Sequence, residues 1–173
     1  IFDLTTRINL RAANKKNIEA LAQAGAFDSF PNVHRSQYFH QYKDDTNFIE
    51  LAIRFGNNVK EQNDSSALSL FGDTVDNEIP EPEIPHENPW QSFIRLQKEK
   101  EVIGIYISGH PLDDFELEIK NYTNTTFEDI ANYTDNKEVN VACMVSSVNK
   151  RVDKNGRPWA IVVFEDLDST MEL

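Results

Sequence analysis

The chain has 173 residues, of which 39% are hydrophobic and 27% are charged, as in ordinary soluble globular proteins. Its formal net charge of −12 argues against a protein that binds nucleic acid over its whole surface. The single Cys143 excludes an internal disulfide, and no apolar run has the length of a membrane span, so we expect a cytoplasmic protein without membrane contact.

The acidic charge is concentrated in the middle of the chain. Residues 1–43 carry six Lys or Arg against three Asp or Glu, whereas residues 44–143 carry seven against twenty-one. Residues 144–173 are nearly balanced, with four against five. The two ends can therefore still face phosphate groups. Because the chain starts at Ile1 and ends in a predicted strand, we expect it to be part of a longer protein.

Helical spacing of apolar residues begins near the N-terminus. Asn14 is a good N-cap for a helix over 15–24, and Gly25 is a typical residue after a helix end. The apolar positions in this stretch recur at intervals of three and four, which indicates an amphipathic helix. A short helix is predicted around 34–42. The N-terminal quarter of the chain should therefore be helical.

A longer helix should follow, capped by Asp44 or Asp45 and ending at Gly56. Residues 57–89 are then predicted to form a tether, because the four prolines between 80 and 89 disfavour helix. Within this polar tether lies an apolar run, Ala-Leu-Ser-Leu-Phe-Gly. Its bulky side chains cannot bury themselves locally, so the run packs back onto its own domain or binds a partner.

Helical patterning resumes after the tether. Asn88 followed by Pro89 is a typical helix start, and the pattern continues to about Ile103, with Phe93 and Ile94 on one face. The Ser-Gly-His-Pro turn that follows leads to a short helix with an aspartate cap. A Thr and an Asp three residues apart indicate one more capped turn. The first cap is Asp113 or Asp114. The second is Thr126, with Asp129 three residues later.

From Glu138 onward the apolar period changes from 3.6 to 2, which is typical of strands. The Asp-Lys-Asn-Gly sequence at 153–156 predicts a hairpin turn, and residues 158–165 predict a second strand. A turn at 168–169 leads into a third strand. The expected fold class is therefore α+β, with helical modules followed by a short antiparallel meander.

Residues 10–18, Leu-Arg-Ala-Ala-Asn-Lys-Lys-Asn-Ile, have the layout of the second half of a helix-hairpin-helix. That motif presents backbone N–H groups and nearby cations to DNA phosphates without reading sequence. Its hairpins usually carry glycines where this chain has Ala12 and Ala13, so a solvated basic helix start explains the run about as well. The candidate DNA-binding residues here are Arg11, Asn14, Lys15 and Lys16.

A more specific pattern is Glu-Lys-Glu-Val-Ile-Gly-Ile-Tyr-Ile-Ser-Gly-His-Pro-Leu-Asp at 99–113. Together with Ala-Gly-Ala-Phe-Asp at 24–28 and the pair His34 and Arg35, it resembles the C-terminal third of the bacterial replicative DNA polymerase III alpha subunit. The motif order matches over essentially the whole chain. The resemblance implies that the catalytic palm and its magnesium ions lie outside this segment, which should hold no catalytic residue, metal ligand or cofactor.

The resemblance also implies an organisation and a partner. The expected regions are the end of a helix-hairpin-helix module (1–61), a tether with a clamp-binding peptide (62–89), a helical connector (90–135) and a partial OB-fold (138–173). The run at 67–71 resembles the family's sliding-clamp-binding pentapeptide, Gln-Leu-Ser/Asp-Leu-Phe, although Ala67 stands where Gln is favoured. The candidate clamp-binding residues are Leu68, Ser69, Leu70 and Phe71.

Energetic considerations suggest weak clamp binding. Burying each of three apolar anchors contributes about 1.5–3 kcal/mol. Ordering the tether and losing free motion subtract several kcal/mol of this. We therefore expect micromolar or weaker affinity, which suffices when other contacts raise the effective concentration. Packing of the same run against its own chain is the alternative.

The hairpin at 150–159 combines basic residues with an aromatic one. OB-folds bind single strands in this way, with bases stacked on rings and cations along the backbone. The resemblance implies an OB-fold near the single-stranded template, whereas a solvated hairpin with its tryptophan packed on the barrel end is an equally good explanation. The candidate residues are Lys150, Arg151, Lys154, Arg157 and Trp159.

Ser108, His110 and Asp113 have the residue types of a hydrolase triad, but residues on one tight turn rarely reach triad geometry. A helix stop, a proline turn and an N-cap explain them better. We therefore expect a non-catalytic polymerase segment that grips duplex DNA, docks the sliding clamp and contacts other replicative holoenzyme subunits. The alternative is a nucleic-acid-binding OB-fold module with a helical extension and no clamp partner.

Overall fold

The computed structural model describes residues 1–68, 79–130, 132–133 and 137–173, which form two compact units, 1–107 and 108–173. The first unit is helical, and the second combines short helices with a three-stranded antiparallel sheet, so the predicted α+β class is confirmed. The helices of the first unit are α1 (Phe2–Arg7), α2 (Lys15–Gln23), α3 (Arg35–Tyr38), α4 (Phe48–Leu68) and α5 (Ser92–Ile103).

The hydrophobic core of the first unit forms around the start of α4. Phe48 is fully buried and meets the ring of Phe2 edge-on, with ring centroids 5.8 Å apart. Ile18 and Ala22 lie four residues apart on α2, so they share one face, and both are fully buried. The predicted amphipathic α2 is therefore confirmed, one residue shorter than expected at its C-terminal end.

Helix α4 differs from its prediction at both ends. Asn47, rather than Asp44 or Asp45, caps it: the Asn47 side chain accepts from the Glu50 N–H at 2.9 Å. Asp44 is instead engaged with Thr46 in the preceding turn, where its carboxylate accepts from the hydroxyl at 2.9 Å. This turn contact explains why Asp44 does not start the helix.

The predicted end of α4 at Gly56 is wrong, because the helix continues to Leu68. A Cβ atom at position 56 would lie 2.6 Å from the carbonyl oxygen of Thr5, on α1. Gly56 therefore permits the close crossing of α1 and α4 rather than terminating a helix. Residues 57–68, which we predicted to belong to an extended tether, are therefore helical. The extended segment that the structure describes starts at residue 79.

Residues 79–91 are extended and lie against the helical core. Pro85 is buried, and its carbonyl accepts from the Gln37 side chain at 2.7 Å. Helix α5 then begins at Ser92. This helix buries Leu96 and Glu99. By contrast, the side chain of Phe93, on the predicted apolar face, is 53% exposed. A charged residue on the buried face explains why apolar spacing pointed to the wrong side of this helix.

The second unit begins with short helical segments, for which the predicted cap at Thr126 is confirmed. The predicted cap at Asp113 or Asp114 is wrong, because the helical residues there follow Leu112 and Phe115 without a side-chain cap. The hydroxyl of Thr126 accepts from the Asp129 N–H at 3.4 Å and so caps α7. The segments are a 3-10 turn (Asp113–Phe115), α6 (Glu116–Tyr122) and α7 (Phe127–Ile130). Asp113 closes the preceding turn by accepting from the His110 N–H at 2.6 Å.

The strands are β1 (Met144–Val152), β2 (Pro158–Glu165) and β3 (Thr170–Glu172), ordered β1-β2-β3 and all antiparallel. The hairpin turn and the bounds of β2 agree with prediction. β1 starts later than the predicted Glu138, because residues there pair with a loop instead of the sheet: Asn124 N–H donates to Asn140 O at 3.0 Å. A bulge interrupts the register between Val145 and Ser147.

Candidate nucleic-acid interface

The hairpin between α1 and α2 is a tight turn built without glycine. The carbonyl oxygen of Asn9 accepts from the N–H groups of Ala12 and Ala13 at 3.0 and 2.9 Å. The Asn9 side chain also accepts from the Arg11 N–H at 3.0 Å. A local side-chain hydrogen bond of this kind stabilises the turn. The two alanines, which weakened the motif in the sequence, are thus compatible with a compact hairpin.

The N-terminus of α2 follows this hairpin directly. Asn14 caps it, since its side chain accepts from the Asn17 N–H at 3.1 Å. The next N–H groups, of Lys15 and Lys16, have no acceptor within a helix because they belong to its first turn. The helix dipole adds positive potential at the same end. An anion close to the hairpin therefore meets both backbone donors and a favourable field.

The predicted cations of the hairpin fall into two groups. Arg11 and Lys16 are exposed, and within the described part of the chain neither side chain is engaged in an ion pair. Lys15 is paired, with its Nζ 2.8 Å from Glu50 Oε1 and 3.6 Å from Glu19 Oε1. The hairpin thus presents two unpaired cations to solvent and one that is held by carboxylates.

Helix α4 supports the hairpin from behind. Lys60 donates a hydrogen bond to the carbonyl of Ile8, at the C-terminal end of α1. Together with the close crossing at Gly56, this contact fixes the end of α1 on α4. The hairpin is consequently attached to α4 through these two contacts.

The second candidate surface is the β1–β2 hairpin, whose tip is organised by Asp153. Its carboxylate accepts from the N–H groups of Asn155 and Arg157, both at 2.8 Å. Gly156 completes the turn with a φ of 81°, a left-handed conformation that glycine adopts without strain. The tip therefore holds the predicted cations Lys154 and Arg157 on a well-defined loop.

The sheet separates the other predicted residues of this hairpin onto two faces. Arg151 and Trp159 are direct cross-strand partners, and the guanidinium lies 5.9 Å from the ring centroid. Trp159 is 47% exposed, as a base-stacking residue must be. Lys150 neighbours Arg151 and so points to the opposite face, which Val148 and Val152 make apolar. The structure brings Arg151 and Trp159 together but separates Lys150 from them.

Sequence reasoning missed a buried ionic network in the first unit. Arg35, only 7% exposed, has its Nη2 2.6 Å from Asp28 and its Nη1 3.0 Å from Glu99, which is fully buried. The second oxygen of Glu99 accepts from the Ile107 N–H at 2.6 Å. All three charged residues lie within the motifs at 24–28, 34–35 and 99–113. The signal for this network in the sequence was a charged residue within each of the three motifs.

The Ser-His-Asp turn makes structural contacts. His110 Nδ1 accepts from the Leu112 N–H at 3.1 Å, and Asp113 accepts from the backbone of His110. Among the described residues, no three His, Cys, Asp or Glu side chains are placed to hold a metal ion. In the same residues, none of the helices is long and apolar enough to cross a membrane.

The predicted clamp-binding residues lie almost entirely outside the described ranges. Leu68 is the last residue of α4. Ser69, Leu70 and Phe71 belong to 69–78, outside the described residues. The prediction of a clamp-binding peptide therefore continues to depend on the sequence of this run.

Comparisons with known proteins agree with the motifs quoted above. A sequence model of the helix-hairpin-helix motif matches residues 1–38, which include the α1–α2 hairpin. Three relatives named DNA polymerase III subunit alpha align with most of the chain. They come from Saccharopolyspora erythraea (33% identical, 94% of the chain), Mycobacterium tuberculosis (30%, 99%) and Treponema pallidum (28%, 99%).

The chain spans 14% of the length of these three relatives. The resemblance noted from the sequence is confirmed, since homologues with this name align from the N-terminal hairpin to the sheet. The helix-hairpin-helix motif predicted from residues 10–18 is confirmed, since these residues lie within the matched range 1–38. Over nearly its whole length the chain is therefore similar to one segment of proteins named DNA polymerase III subunit alpha.

Proposed function

We propose that this chain is a non-catalytic, DNA-gripping and clamp-docking segment of a cytoplasmic bacterial replicative DNA polymerase. Homology to DNA polymerase III alpha subunits and the helix-hairpin-helix match support a role in DNA binding during replication. The observation that carries the proposal is the α1–α2 hairpin, where backbone donors at the start of α2 adjoin the exposed Arg11 and Lys16.

Contacts of this kind go to phosphates, so they hold duplex DNA at any sequence. The parent reaction would be template-directed nucleotidyl transfer with magnesium, supplied by residues outside this chain. Among the residues that the structure describes, no group of His, Cys, Asp or Glu side chains is placed to hold a metal ion. The contribution of this segment is to retain DNA behind the site of synthesis.

The sheet supports a second contact, with single-stranded DNA. The exposed Trp159, the adjacent Arg151 and the basic hairpin tip are the parts of an OB-fold-type surface. We infer that β1–β3 correspond to the start of an OB-fold in the full-length relatives. The residues that carry this contact are Arg151, Lys154, Arg157 and Trp159.

Clamp docking rests on the sequence of Leu68, Ser69, Leu70 and Phe71. Two bulky apolar residues separated by one residue and followed by an aromatic match the pentapeptide of the family at all positions except Ala67. Binding of this run places the sliding clamp, and through it other replicative holoenzyme subunits, among the partners of the chain. The modest affinity expected from Ala67 allows the polymerase to release the clamp between primers.

The duplex grip is tested by measuring DNA affinity at several salt concentrations. Each phosphate contact contributes about −0.9 to the slope of log K against log salt. Replacing Arg11 and Lys16 together by Gln should make the slope shallower by about 1.8. Lys120→Gln, which removes a charge from an exposed residue of the second unit, serves as the matched control. Salt-independent or sequence-selective binding would contradict the proposed grip.

The clamp proposal is tested with a fluorescent peptide of residues 62–75 titrated against the cognate clamp. Saturable binding that is abolished by Leu70→Ala with Phe71→Ala supports clamp docking. Absence of saturable binding favours the alternative, an OB-fold module with a helical extension that binds nucleic acid without a clamp partner. The exposed cation–π pair of Arg151 and Trp159 is the observation that supports this alternative.

A further inference from the structure

We propose that Lys15 is a reserve phosphate contact, which Glu50 and Glu19 hold out of the DNA path until their charges are neutralised or outcompeted. This inference rests on the proposed duplex grip of the α1–α2 hairpin and concerns its regulation. It assigns to the two carboxylates a role in tuning DNA affinity, although neither is expected to touch DNA.

The geometry of the pair is that of a formed ion pair between two helices. Lys15, in the first turn of α2, has its Nζ 2.8 Å from Glu50 Oε1 on α4, and the hydrogen bond joins residues 35 positions apart. Glu19, one turn later on α2, lies 3.6 Å from the same Nζ. The lysine that adjoins the hairpin is therefore engaged from both helices.

Both carboxylates are held in place by Asn47, the cap of α4. Its side-chain nitrogen donates to Glu19 Oε1 at 2.7 Å, and its backbone N–H donates to Glu50 Oε2 at 3.2 Å. Asn47 is itself only 3% exposed. Because Asn47 already holds both carboxylates in place, forming the ion pair restricts only the lysine side chain. This low entropy cost favours the paired state.

The charges of this cluster work against DNA in the paired state. One ammonium faces two carboxylates, so the three side chains together carry a negative charge beside the hairpin. The hydrogen bond from Lys15 to Glu50 raises the pKa of the ammonium and lowers the pKa of the carboxyl. Both groups consequently remain ionised near neutral pH.

Partial exposure makes the pair breakable. The side chains of Lys15, Glu19 and Glu50 are 43%, 26% and 29% exposed, so water and salt screen the attraction. The four-carbon stem of lysine lets its ammonium reach a different anion by rotation alone. A DNA phosphate at the hairpin therefore competes with Glu50 for one cation, and this competition lowers the affinity for duplex DNA.

The experiment compares Glu50→Gln with the wild-type chain in duplex titrations from 50 to 200 mM salt. Gln preserves the acceptor that the Asn47 N–H requires, because Glu and Gln both serve at this capping position. Arg54 also acts electrostatically on Glu50, so the double variant Glu50→Gln with Lys15→Gln isolates the contribution of Lys15. Glu101→Gln, an exposed charge on α5, is the control for net charge.

We expect Glu50→Gln to bind duplex DNA several-fold more tightly at 50 mM salt, with a slope steeper by about 0.9, so that the gain shrinks about 3–4-fold by 200 mM. Adding Lys15→Gln should restore the wild-type slope, while Lys15→Gln alone leaves it unchanged. Glu19→Gln, which keeps the Asn47 contact, should show a smaller gain. Thermal unfolding of each variant verifies that the fold is retained.

Two results would overturn the inference. A slope for Glu50→Gln equal to that of Glu101→Gln would mean that no latent contact is released. A slope that falls by about 0.9 in Lys15→Gln alone would mean that Lys15 already binds phosphate. Absence of salt-dependent binding by the wild-type chain is a different outcome, which removes the duplex grip itself.

Discussion

The two units of this chain differ in how many of their apolar side chains they bury. Among the described residues, every buried hydrophobic side chain except Leu112 belongs to 1–107. In 108–173, large apolar residues such as Leu117 and Val152 are 74% and 68% exposed. The first unit thus holds nearly all of the buried apolar side chains, although Ile105 and Ile107 near its end are 63% and 64% exposed, whereas the described residues of the second unit bury little apolar surface.

Charged residues follow the same contrast. Arg35 is buried and joined to two carboxylates, while Arg151 lies over the exposed face of Trp159. Burial makes the first arginine a structural residue and exposure leaves the second available to a ligand. We therefore expect Arg35 to stabilise the first unit and Arg151 to contribute little to the stability of the second. Matched variants in the two units can test this difference.

The largest expected effect is in the paired variants Arg35→Met and Arg151→Met. Removing Arg35 leaves the buried Glu99 without its cation, which should lower the free energy of unfolding of the first unit by about 3–5 kcal/mol. Removing the exposed Arg151 should change that of the second by less than about 0.5 kcal/mol. Urea unfolding followed by fluorescence distinguishes the units, because each contains one of the two tryptophans, Trp90 and Trp159.

A double variant sharpens this prediction. Replacing Glu99 by Leu in the Arg35→Met background removes the unpaired buried charge, so part of the lost stability should return. Equal destabilisation by Arg35→Met and Arg151→Met would show that the buried network does not distinguish the first unit from the second.

The next effect concerns two glycines with different roles. Gly56→Ala should destabilise the first unit by about 1–3 kcal/mol, because the new Cβ meets the backbone of Thr5. Gly156→Ala should cost the second unit about 1–2 kcal/mol through its left-handed backbone, in open space.

Asparagine separates the two causes in the same unfolding measurement. Asn tolerates the left-handed region, so Gly156→Asn should be milder than Gly156→Ala. At position 56, Asn is larger than Ala and should be worse. Rescue by Asn at both positions would contradict the assignment of Gly56 to a packing contact.

A third prediction is an alkaline sensitivity of the first unit. Burial, with Asp28 nearby, raises the pKa of Tyr38 to about 12. Since the unfolded phenol ionises near 10.0, the stability from this group is complete below that pH and is lost as pH rises towards 12. Tyr38→Phe should abolish this loss, and should cost little at neutral pH because the buried hydroxyl has no hydrogen-bond partner among the described residues.

Unfolding of Tyr38→Phe and wild type at pH 8 and at pH 11 measures both parts of this prediction. An alkaline loss that persists in the variant would assign the sensitivity to other groups. Tyr122→Phe provides the control for the loss of a tyrosine hydroxyl, since Tyr122 lies in the second unit and is 77% exposed.

The smallest effect is an acid sensitivity of the second unit. Burial acts to raise the pKa of Asp166, but hydrogen bonds from the N–H groups of Phe127, Asp168 and Ser169 outweigh it and lower the pKa. The stability from this group is therefore present above about pH 4 and lost as pH falls through the lowered value. Asp166→Asn should flatten the acid limb of unfolding monitored at Trp159. An unchanged limb would reject Asp166 as its source.

Much of the fold could be predicted because its signals are local. The Asn14 cap, the turn at 153–156 and the bounds of β2 each depend on a few consecutive residues, and each agrees with the structure. The α4 start failed because three Asx residues lie within four positions, and which of them caps depends on how the preceding turn bonds. The role of Gly56 could not be read from neighbours, since its contact is with Thr5 on another helix.

The candidate site shows the same limit. The sequence places Arg11 and Lys16 at a hairpin, but only the structure shows that Lys15 between them is paired with Glu50. Similarly, Lys150 and Arg151 are indistinguishable as adjacent cations until the strand register puts them on opposite faces. Residue types indicate which groups are available, whereas long-range contacts decide which of them are already used.

The pairing of Arg35 with Glu99 has a consequence for synthesis of the chain. The two residues are 64 positions apart, so Arg35 leaves the ribosome well before its buried partner. At about 5–20 residues per second, translation separates them by roughly 3–13 s. During that interval Asp28, seven positions before Arg35, is the carboxylate that can pair with the guanidinium. The contact with Glu99 can form only after α5 has been synthesised, so this buried network is completed in two steps.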